Sequence, residues 1–248
     1  MEPIILVEDD DVLVLNKPSG MTVNRAGTTS GETTLQDWVE DYRHLSKHDP
    51  KVSDTYDSEE VFKSRAGIVH RLDKETSGVI IVAKNVQSFE DLQKQFKERL
   101  TKKVYRALSH GRVEPADGEI NAPIGRLPWN RMRFGVLPDG REAVTKYHVL
   151  SHLKNPVSHE EFSFIELYPQ TGRTHQLRVH LKHIGYPIFG DFLYGGRKTS
   201  RDDRALLPRV FLHAFQISFS HPTTKDTVTT EAPLPAVLSE FLEKIIKP

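Results

Sequence analysis

The feature that most constrains the fold is a short apolar run, VIIVA at residues 79–83, inside the segment GIVHRLDKETSGVIIVAKN at residues 67–85. A run of this length, rich in β-branched residues, is typical of a strand that is buried on both faces. The polar residues His70, Arg71 and Asp73 come just before it. The segment therefore predicts a buried strand with a charged turn at its start. Taken alone, this pattern fits a solvated turn with a surface ion pair equally well.

Periodicity in the rest of the chain predicts strands separated by helices, without a regular βαβ alternation. This order favours the α/β (α+β) class, with a mixed, largely antiparallel central sheet flanked by helices. No repeat or flexible linker divides the chain, so we expect one domain over residues 1–248. Residues 43–66 are polar and predict a loop. The predicted strands are 4–7, 12–15, 79–83, 103–109, 145–150, 161–168, 210–220 and 226–230, and the predicted helices are 34–42, 87–100, 174–184 and 236–246.

Charge is unevenly distributed along a chain whose formal net charge is zero. Residues 1–61 hold 14 acidic and 5 basic residues, whereas residues 62–248 hold 20 acidic and 29 basic residues. Such asymmetry allows a basic face on a neutral molecule. The absence of cysteine excludes disulfides and thiolate zinc sites. The acidic amino terminus does not resemble a signal peptide, and no apolar run reaches the roughly 18 residues of a membrane span. We expect a soluble, cytoplasmic protein.

A second informative stretch, LYPQTGRTHQLRVHLKHIGYPIFGDFLYGG, covers residues 167–196. It predicts a helix that starts near Thr174 and ends at Gly185. A metal site built from His175, His180 and His183 is one interpretation of this helix. Their spacings of five and three residues do not match a one-turn pair, and no carboxylate completes the set.

Two further chemical interpretations involve the HRLD sequence at residues 70–73. A kinase catalytic loop needs Asn five residues after its aspartate, but Gly78 stands there, and a Gly-rich phosphate loop is missing. The alternative pairs Asp73 with a single guanidinium, that of Arg178. A buried carboxylate beside an arginine stays ionised and can act as a nucleophile. By itself Arg178 fits an ordinary cation on a helix surface.

Together these segments resemble the signature motifs of the RluA-type pseudouridine synthases. The resemblance runs from about residue 4 to about residue 240 in the order found in that family, without the S4 RNA-binding module that many members carry. The matching segments are NKPSG (16–20), RAGIVHRLDKETSGVIIVAKN (65–85), KKVYRAL (102–108), AVTKY (143–147), TGRTHQLRVHL (171–181), PIFGDFLYG (187–195), LHA (212–214) and HP (221–222).

This resemblance implies a pseudouridine-synthase-like fold with a catalytic cleft, and isomerisation of uridine to pseudouridine in RNA without a cofactor or a metal. Asp73 would be the nucleophile, although attack at C1′, attack on the uracil ring and a role as base all stay open. Arg178 would hold Asp73 ionised and oriented. Tyr105 would stack on the uracil and assist proton transfer, and Arg71 would fill the gap left by the extruded nucleotide.

RNA binding would then depend on local positive charge. The resemblance makes Lys17, His70 and Arg173 candidates for lining the cleft or contacting phosphate. Residues 121–141 predict a loop that clamps RNA, although an ordinary exposed hairpin fits the same pattern. The predicted partner is a stem-loop of structured ribosomal or transfer RNA, bound by a monomer. The candidate contacts in the loop are Arg126, Trp129, Arg131 and Arg133.

Two other functions fit the same residues. One is a catalytically inactive RNA-binding protein, and the presence of both Asp73 and Arg178 argues against it. The other is a hydrolase of the glycosidic bond that uses Asp73 as acid or base. Glycoside hydrolysis usually needs two carboxylates at the bond, whereas the 171–181 segment supplies bases rather than acids.

Overall fold

The computed structural model describes residues 2–26, 29, 31–47 and 57–246. The chain divides into two compact units, one of residues 1–102 and 216–232 and the other of residues 103–215 and 233–248. The structure is a mixed α/β fold with a largely antiparallel sheet, as predicted. The single domain over residues 1–248 stays a prediction. Within the described ranges, no helix is long and apolar enough to cross a membrane.

The first unit is built on antiparallel strands around the apolar run. Strand β1 (Ile4–Glu8) pairs with β2 (Val12–Lys17), and β2 pairs with β3 (Ser77–Ala83). All seven residues of β3 are buried, which confirms the strand predicted at residues 79–83. β-Branched side chains pack well on both faces of such a strand. The unit also contains β11 (Thr227–Glu231), paired antiparallel with β10 (Leu212–Ser220), of which residues 216–220 belong here.

Helix α1 (Leu35–Tyr42) begins with a capping box formed by Thr34 and Asp37. Helix α2 (Ser58–Ser64) falls in the polar segment 43–66, so the loop prediction is wrong for these residues. The Asp57 side chain caps α2 by accepting from the Glu59 amide, and acids in the first turn suit the helix dipole. Residues 48–56 of the predicted loop lie outside the described residues.

Helix α3 (Val86–Lys97) starts at the N-cap Asn85, whose side chain accepts from the Ser88 amide. Its apolar residues Phe89 and Leu92 are fully buried in the core of the first unit, which also contains Val12, Val14 and Ile81. The helix predicted at residues 87–100 is thereby confirmed, with its carboxyl end three residues earlier. Packing of α3 on the apolar run fixes the strand that follows the charged turn.

The second unit holds an antiparallel sheet and a separate two-stranded hairpin. Its core lies between this sheet and helices on the chain's later half, with Ile165, Leu167 and Phe211 almost completely buried. The sheet strands in spatial order are β4 (Lys102–His110), β9 (Glu161–Pro169), β8 (Val144–Lys154) and β5 (Asp117–Asn121), and the hairpin strands are β6 (Ile124–Arg126) and β7 (Phe134–Val136).

Three helices complete the second unit. Helix α4 (Gln176–His183) ends before Gly185, which has φ +90, as the sequence predicts, but its N-cap is His175 rather than Thr174. Helix α5 (Arg197–Leu206) is not among the helices that the sequence predicts. Helix α6 (Ala236–Ile246) confirms the predicted terminal helix and contributes Phe241 to the core.

Candidate active site

Asp73 opens a tight turn immediately before the buried strand β3. The Thr76 amide donates a hydrogen bond to the Asp73 carbonyl oxygen at 3.1 Å, which closes the turn. The side chain of Asp73 is half-buried, whereas that of Arg71 is exposed and that of Leu72 between them is buried. The turn therefore leaves the Asp73 carboxylate partly accessible at the end of an otherwise dry strand.

The segment before Asp73 runs beside β3 and is fixed to it. Gly67 has φ +79, and a Cβ at this position would lie 2.1 Å from the Ala83 carbonyl oxygen. Only glycine allows this approach. The Ala83 amide donates to the Gly67 carbonyl oxygen at 2.9 Å, and the Ile81 amide donates to His70 Nε2 at 3.0 Å. The His70 ring also stacks on Phe96 at 4.6 Å, so His70 braces the segment that carries Asp73.

Lys17 is held by backbone carbonyls, and its predicted place in lining the cleft or contacting phosphate stays a prediction. Its side chain is completely buried, and Nζ donates to the carbonyl oxygens of Pro18, Met21 and Lys74 at 2.9, 2.9 and 3.2 Å. Three backbone acceptors use the three donors of an ammonium group. Lys17 thus joins the turn at residues 17–21 to the turn that Asp73 opens.

Two more bonds from the NKPSG segment hold the same turn. The Ser19 hydroxyl donates to the Glu75 carbonyl oxygen at 2.7 Å, and the Gly20 amide donates to the Lys74 carbonyl oxygen at 2.8 Å. Gly20 adopts φ +86, in the left-handed region that favours glycine. The backbone on the carboxyl side of Asp73 is therefore held by three residues of one neighbouring turn.

Arg178, in the second unit, forms a buried ion pair with Asp191. The guanidinium donates through Nε to Oδ2 at 2.7 Å and through Nη2 to Oδ1 at 2.8 Å, and Asp191 is completely buried. This two-point geometry fixes the plane of the guanidinium. The predicted pairing of Arg178 with Asp73 stays a prediction, since Asp73 belongs to the other unit.

The PIFGDFLYG segment shapes the turn that carries Asp191. The amides of Leu193 and Tyr194 donate to Asp191 Oδ1 at 3.0 and 3.1 Å, so the carboxylate also holds its own turn. Gly190 has φ +71, and a Cβ there would lie 2.3 Å from the Arg209 carbonyl oxygen. The sequence shows this motif but does not show that its aspartate pairs with Arg178.

Polar residues of the TGRTHQLRVHL segment bind one another and the sheet. Gln176 accepts from the Thr171 hydroxyl at 2.7 Å and donates to the Thr145 hydroxyl at 3.0 Å. His180 is buried, with Nδ1 bonded to Thr145 and Nε2 to the Ala122 carbonyl, and burial lowers its pKa. These residues were not predicted as site residues, and they act as a scaffold for α4.

Arg173 and Tyr105 are both held by contacts within the second unit. Arg173 Nε donates to the Glu142 carbonyl oxygen at 2.9 Å, and the Arg173 side chain is half-buried. Tyr105 lies on β4 opposite Leu167 and packs against the core of the second unit. Its neighbour Arg106 forms an ion pair with Glu166 at 3.0 Å. Tyr105 is thus held as a partly buried aromatic on a regular strand.

The hairpin of β6 and β7 carries the predicted RNA contacts at its tip. Trp129 is 77% exposed and Met132 is 75% exposed, and Arg131 and Arg133 are also exposed. Arg126 instead donates through Nη1 to the Arg131 carbonyl oxygen at 2.8 Å and so braces the tip. The tip combines an aromatic surface with two accessible cations.

One group of potential metal ligands lies in the first unit, where Asp9, Asp11 and His221 bring ligand atoms within 4.8 Å of one another. Asp9 Oδ1 accepts from two backbone amides, and Asp9 Oδ2 lies 3.1 Å from His221 Nε2. Hydrogen bonds from Thr223, Asn85 and Ser88 lower the pKa of Asp11 to about 2. These bonds explain the cluster as a scaffold that joins the chain ends of the first unit.

Comparison with known proteins identifies the family. The sequence model described as RNA pseudouridylate synthase matches residues 11–183. The chain is 39% identical over 247 residues to the Uncharacterized RNA pseudouridine synthase YlyB of Bacillus subtilis, covering 100% of this chain and 74% of that protein. It is 40% identical over 238 residues to the Ribosomal large subunit pseudouridine synthase D of Neisseria meningitidis, covering 93% of this chain and 58% of that protein.

The fold is also similar to the folds of solved structures. Human RNA Pseudouridylate Synthase Domain Containing 1 superposes with a TM-score of 0.72 at 26% identity, covering 98% of this chain and 94% of that chain. Human RNA Pseudouridylate Synthase Domain Containing 4 gives a TM-score of 0.68 at 25% identity, with coverage of 97% and 92%. The chain spans less than two thirds of the Neisseria relative and about three quarters of the Bacillus one. It belongs to the RNA pseudouridylate synthase family.

Proposed function

We propose that this protein isomerises one or more uridines to pseudouridine in structured ribosomal or transfer RNA, with Asp73 as its catalytic carboxylate. The observation that carries the proposal is the family match over residues 11–183, which includes Asp73, Tyr105 and Arg178. The locked turn before β3 supports it further, because a reacting carboxylate must be held in one position.

The reaction rearranges bonds within one nucleotide. The bond between N1 and C1′ breaks, the uracil turns while bound, and C5 forms a bond to C1′. The proton on C5 is lost to solvent and a proton is gained at N1, so atoms and electrons balance without an oxidant or a reductant. Asp73 would start this sequence by attacking C1′, by attacking the ring, or by removing a proton.

The other candidate residues take supporting roles. Arg178 would stabilise the ionised form of the Asp73 carboxylate, which its fixed charge favours. Tyr105 would stack on the uracil. Arg71, which is exposed two residues before Asp73, would fill the space left by the extruded nucleotide. Extrusion costs about a few kcal/mol, least where the base is already unpaired, which favours a loop as substrate.

The hairpin tip is the proposed RNA contact outside the catalytic residues. Arg131 and Arg133 would neutralise phosphates, and Trp129 would stack on a base or a sugar face. Both kinds of contact suit a stem-loop, which offers a regular backbone beside unstacked bases. We propose that a monomer acts in the cytoplasm, where both classes of RNA are available.

One assay separates this function from its two rivals. RNA that carries tritium at uridine C5 is incubated with the protein, and the label released to water is counted. A pseudouridine synthase releases label while the chain stays intact. An inactive RNA-binding protein releases none, and a hydrolase frees labelled uracil and leaves an abasic ribose. Either rival result would contradict the proposal.

A further inference from the structure

The hairpin and the Arg178–Asp191 pair meet at one side chain, Tyr194, which the roles above do not use. We propose that Tyr194 is a positioning residue whose hydroxyl fixes the base of the β6–β7 hairpin, so that the tip stays in the orientation that binds RNA. The inference rests on the proposed function, because it takes the hairpin as an RNA-binding element.

The first observation is a hydrogen bond from the hairpin backbone. Phe134 is the first residue of β7 and lies opposite Arg126. Its amide donates to the Tyr194 hydroxyl oxygen at 3.0 Å. In an antiparallel pair, alternate amides point away from the partner strand and need an acceptor elsewhere. Tyr194 supplies that acceptor at the base of the hairpin.

The second observation is the partner on the other side of the hydroxyl. His175 Nδ1 lies 2.8 Å from the Tyr194 oxygen. Because that oxygen accepts the Phe134 amide, its own proton can be donated to Nδ1. His175 adopts φ +56, which is uncommon for a residue other than glycine. The Phe134 ring also meets the His175 ring edge-on with centroids 5.6 Å apart, so the start of α4 contacts the hairpin once directly and once through the Tyr194 hydroxyl.

The third observation is that Tyr194 is itself held firmly. Its amide donates to Asp191 Oδ1 at 3.1 Å, and its ring centroid lies 5.1 Å from Arg178 Cζ. Only 7% of Tyr194 is exposed. The Tyr194 backbone and ring therefore contact the Arg178–Asp191 pair, while the Tyr194 hydroxyl bonds the hairpin backbone. These two functions can be separated, because removing the hydroxyl leaves the amide and the ring in place.

The hairpin needs such an anchor. Its two strands have three residues each, and an isolated two-stranded hairpin is marginally stable in water. Its tip is exposed, so little packing holds it there. At the base, Phe134 and Val136 pack against a small apolar cluster formed by Ile124, Ala143, Val179 and Tyr194. The hydroxyl of Tyr194 adds the directional contact that apolar packing does not provide.

The test is Tyr194→Phe, with Tyr42→Phe as the matched control. The Tyr42 hydroxyl donates to Glu8 in the first unit, so the control loses one hydroxyl bond far along the chain from the hairpin. We expect Tyr194→Phe to weaken RNA binding about tenfold, because the partly buried Phe134 amide loses its acceptor, while kcat changes less than about twofold. Hydrogen exchange at the Phe134 amide should become faster. The control should change none of these quantities.

A variant that lacks the RNA-contacting side chains of the hairpin tip shows whether Tyr194 acts through the hairpin. In a variant with Trp129, Arg131 and Arg133 all changed to alanine, adding Tyr194→Phe should weaken RNA binding by less than about twofold. An undiminished effect in this background, or a fall in kcat with unchanged RNA affinity, would overturn the role of Tyr194 while leaving the proposed function intact. If the triple alanine variant itself binds RNA like the wild type, both the RNA role of the hairpin and this inference are wrong.

Discussion

Each unit contains a buried cation beside a short turn, but the two cations are held by different kinds of partner. Lys17 in the first unit is surrounded by three backbone carbonyl oxygens. Arg178 in the second unit meets the carboxylate of Asp191. Both cations come from segments that the sequence marks as chemically active, yet their bonds in the structure give them different tasks.

The two kinds of hydrogen-bond acceptor, carbonyl and carboxylate, fix different parts of the two turns. Carbonyl acceptors belong to the backbone, so Lys17 fixes the path of the turn that carries Asp73. A carboxylate that accepts two parallel bonds fixes the guanidinium itself, so Asp191 orients Arg178. In the first unit a cation is the scaffold for a carboxylate, and in the second unit a carboxylate is the scaffold for a cation. The following substitutions test this contrast.

The largest effect is expected for Asp191→Asn. Removing one partner of a buried ion pair leaves an uncompensated charge, which lowers the free energy of unfolding by about 3 to 5 kcal/mol. Asp202→Asn is the control, because Asp202 pairs with Arg201 on the exposed side of α5. Urea denaturation measures both variants. A loss below about 1 kcal/mol for Asp191→Asn would show that the pair is not a scaffold.

A smaller loss is expected for Lys17→Met. The partly buried carbonyl oxygens of Pro18 and Met21 lose the Lys17 donor at about 1 kcal/mol each, whereas the Lys74 oxygen keeps the Gly20 amide, so the free energy of unfolding falls by about 2 kcal/mol. Lys63→Met, which breaks the exposed pair with Glu59, is the control. If Lys17 contacts phosphate, as the sequence predicts, its substitution would instead leave stability unchanged and reduce the salt dependence of RNA binding.

Substitutions at the hairpin tip should weaken RNA binding without disturbing the turn that carries Asp73 or the turn that carries Asp191. Changing both Arg131 and Arg133 to alanine should weaken RNA binding about tenfold and reduce the slope of log affinity against log salt by about 1.4 to 1.8. The double variant Arg197→Ala, Lys198→Ala removes the same charge from the exposed side of α5 and should change the slope little. Equal effects of both pairs would mean that only net charge matters, and not the hairpin.

The sequence predicts the parts of the site that depend on local pattern. The apolar run at residues 79–83 is sufficient to identify a strand buried on both faces, whereas the choice of Asp73 among the polar residues before it depends on the family resemblance. The tip of the hairpin could also be predicted, since Trp129 lies among arginines and turn-forming residues. In both cases the information lies within a few residues along the chain.

The bonds that hold the two turns could not be predicted in this way. Lys17 binds the carbonyl of Lys74, which is 57 residues away, and nothing near Lys17 distinguishes this contact from a phosphate contact. Asp191 lies 13 residues after Arg178 and follows a turn, so helical spacing does not connect them. Helix α5 was missed because its buried residues, Ser200 and Asp203, are polar and give no hydrophobic period.

Tritium release by Asp73→Asn tests the central claim most directly. We expect release from C5-labelled RNA to fall by a factor on the order of 10³ or more, because the amide is a poor nucleophile and a poor base. RNA affinity should stay within about threefold, since phosphate contacts dominate binding. Glu75→Gln, a carboxylate two residues further along the same turn, should release label normally. Release by Asp73→Asn at the wild-type rate would mean that Asp73 is not the catalytic carboxylate.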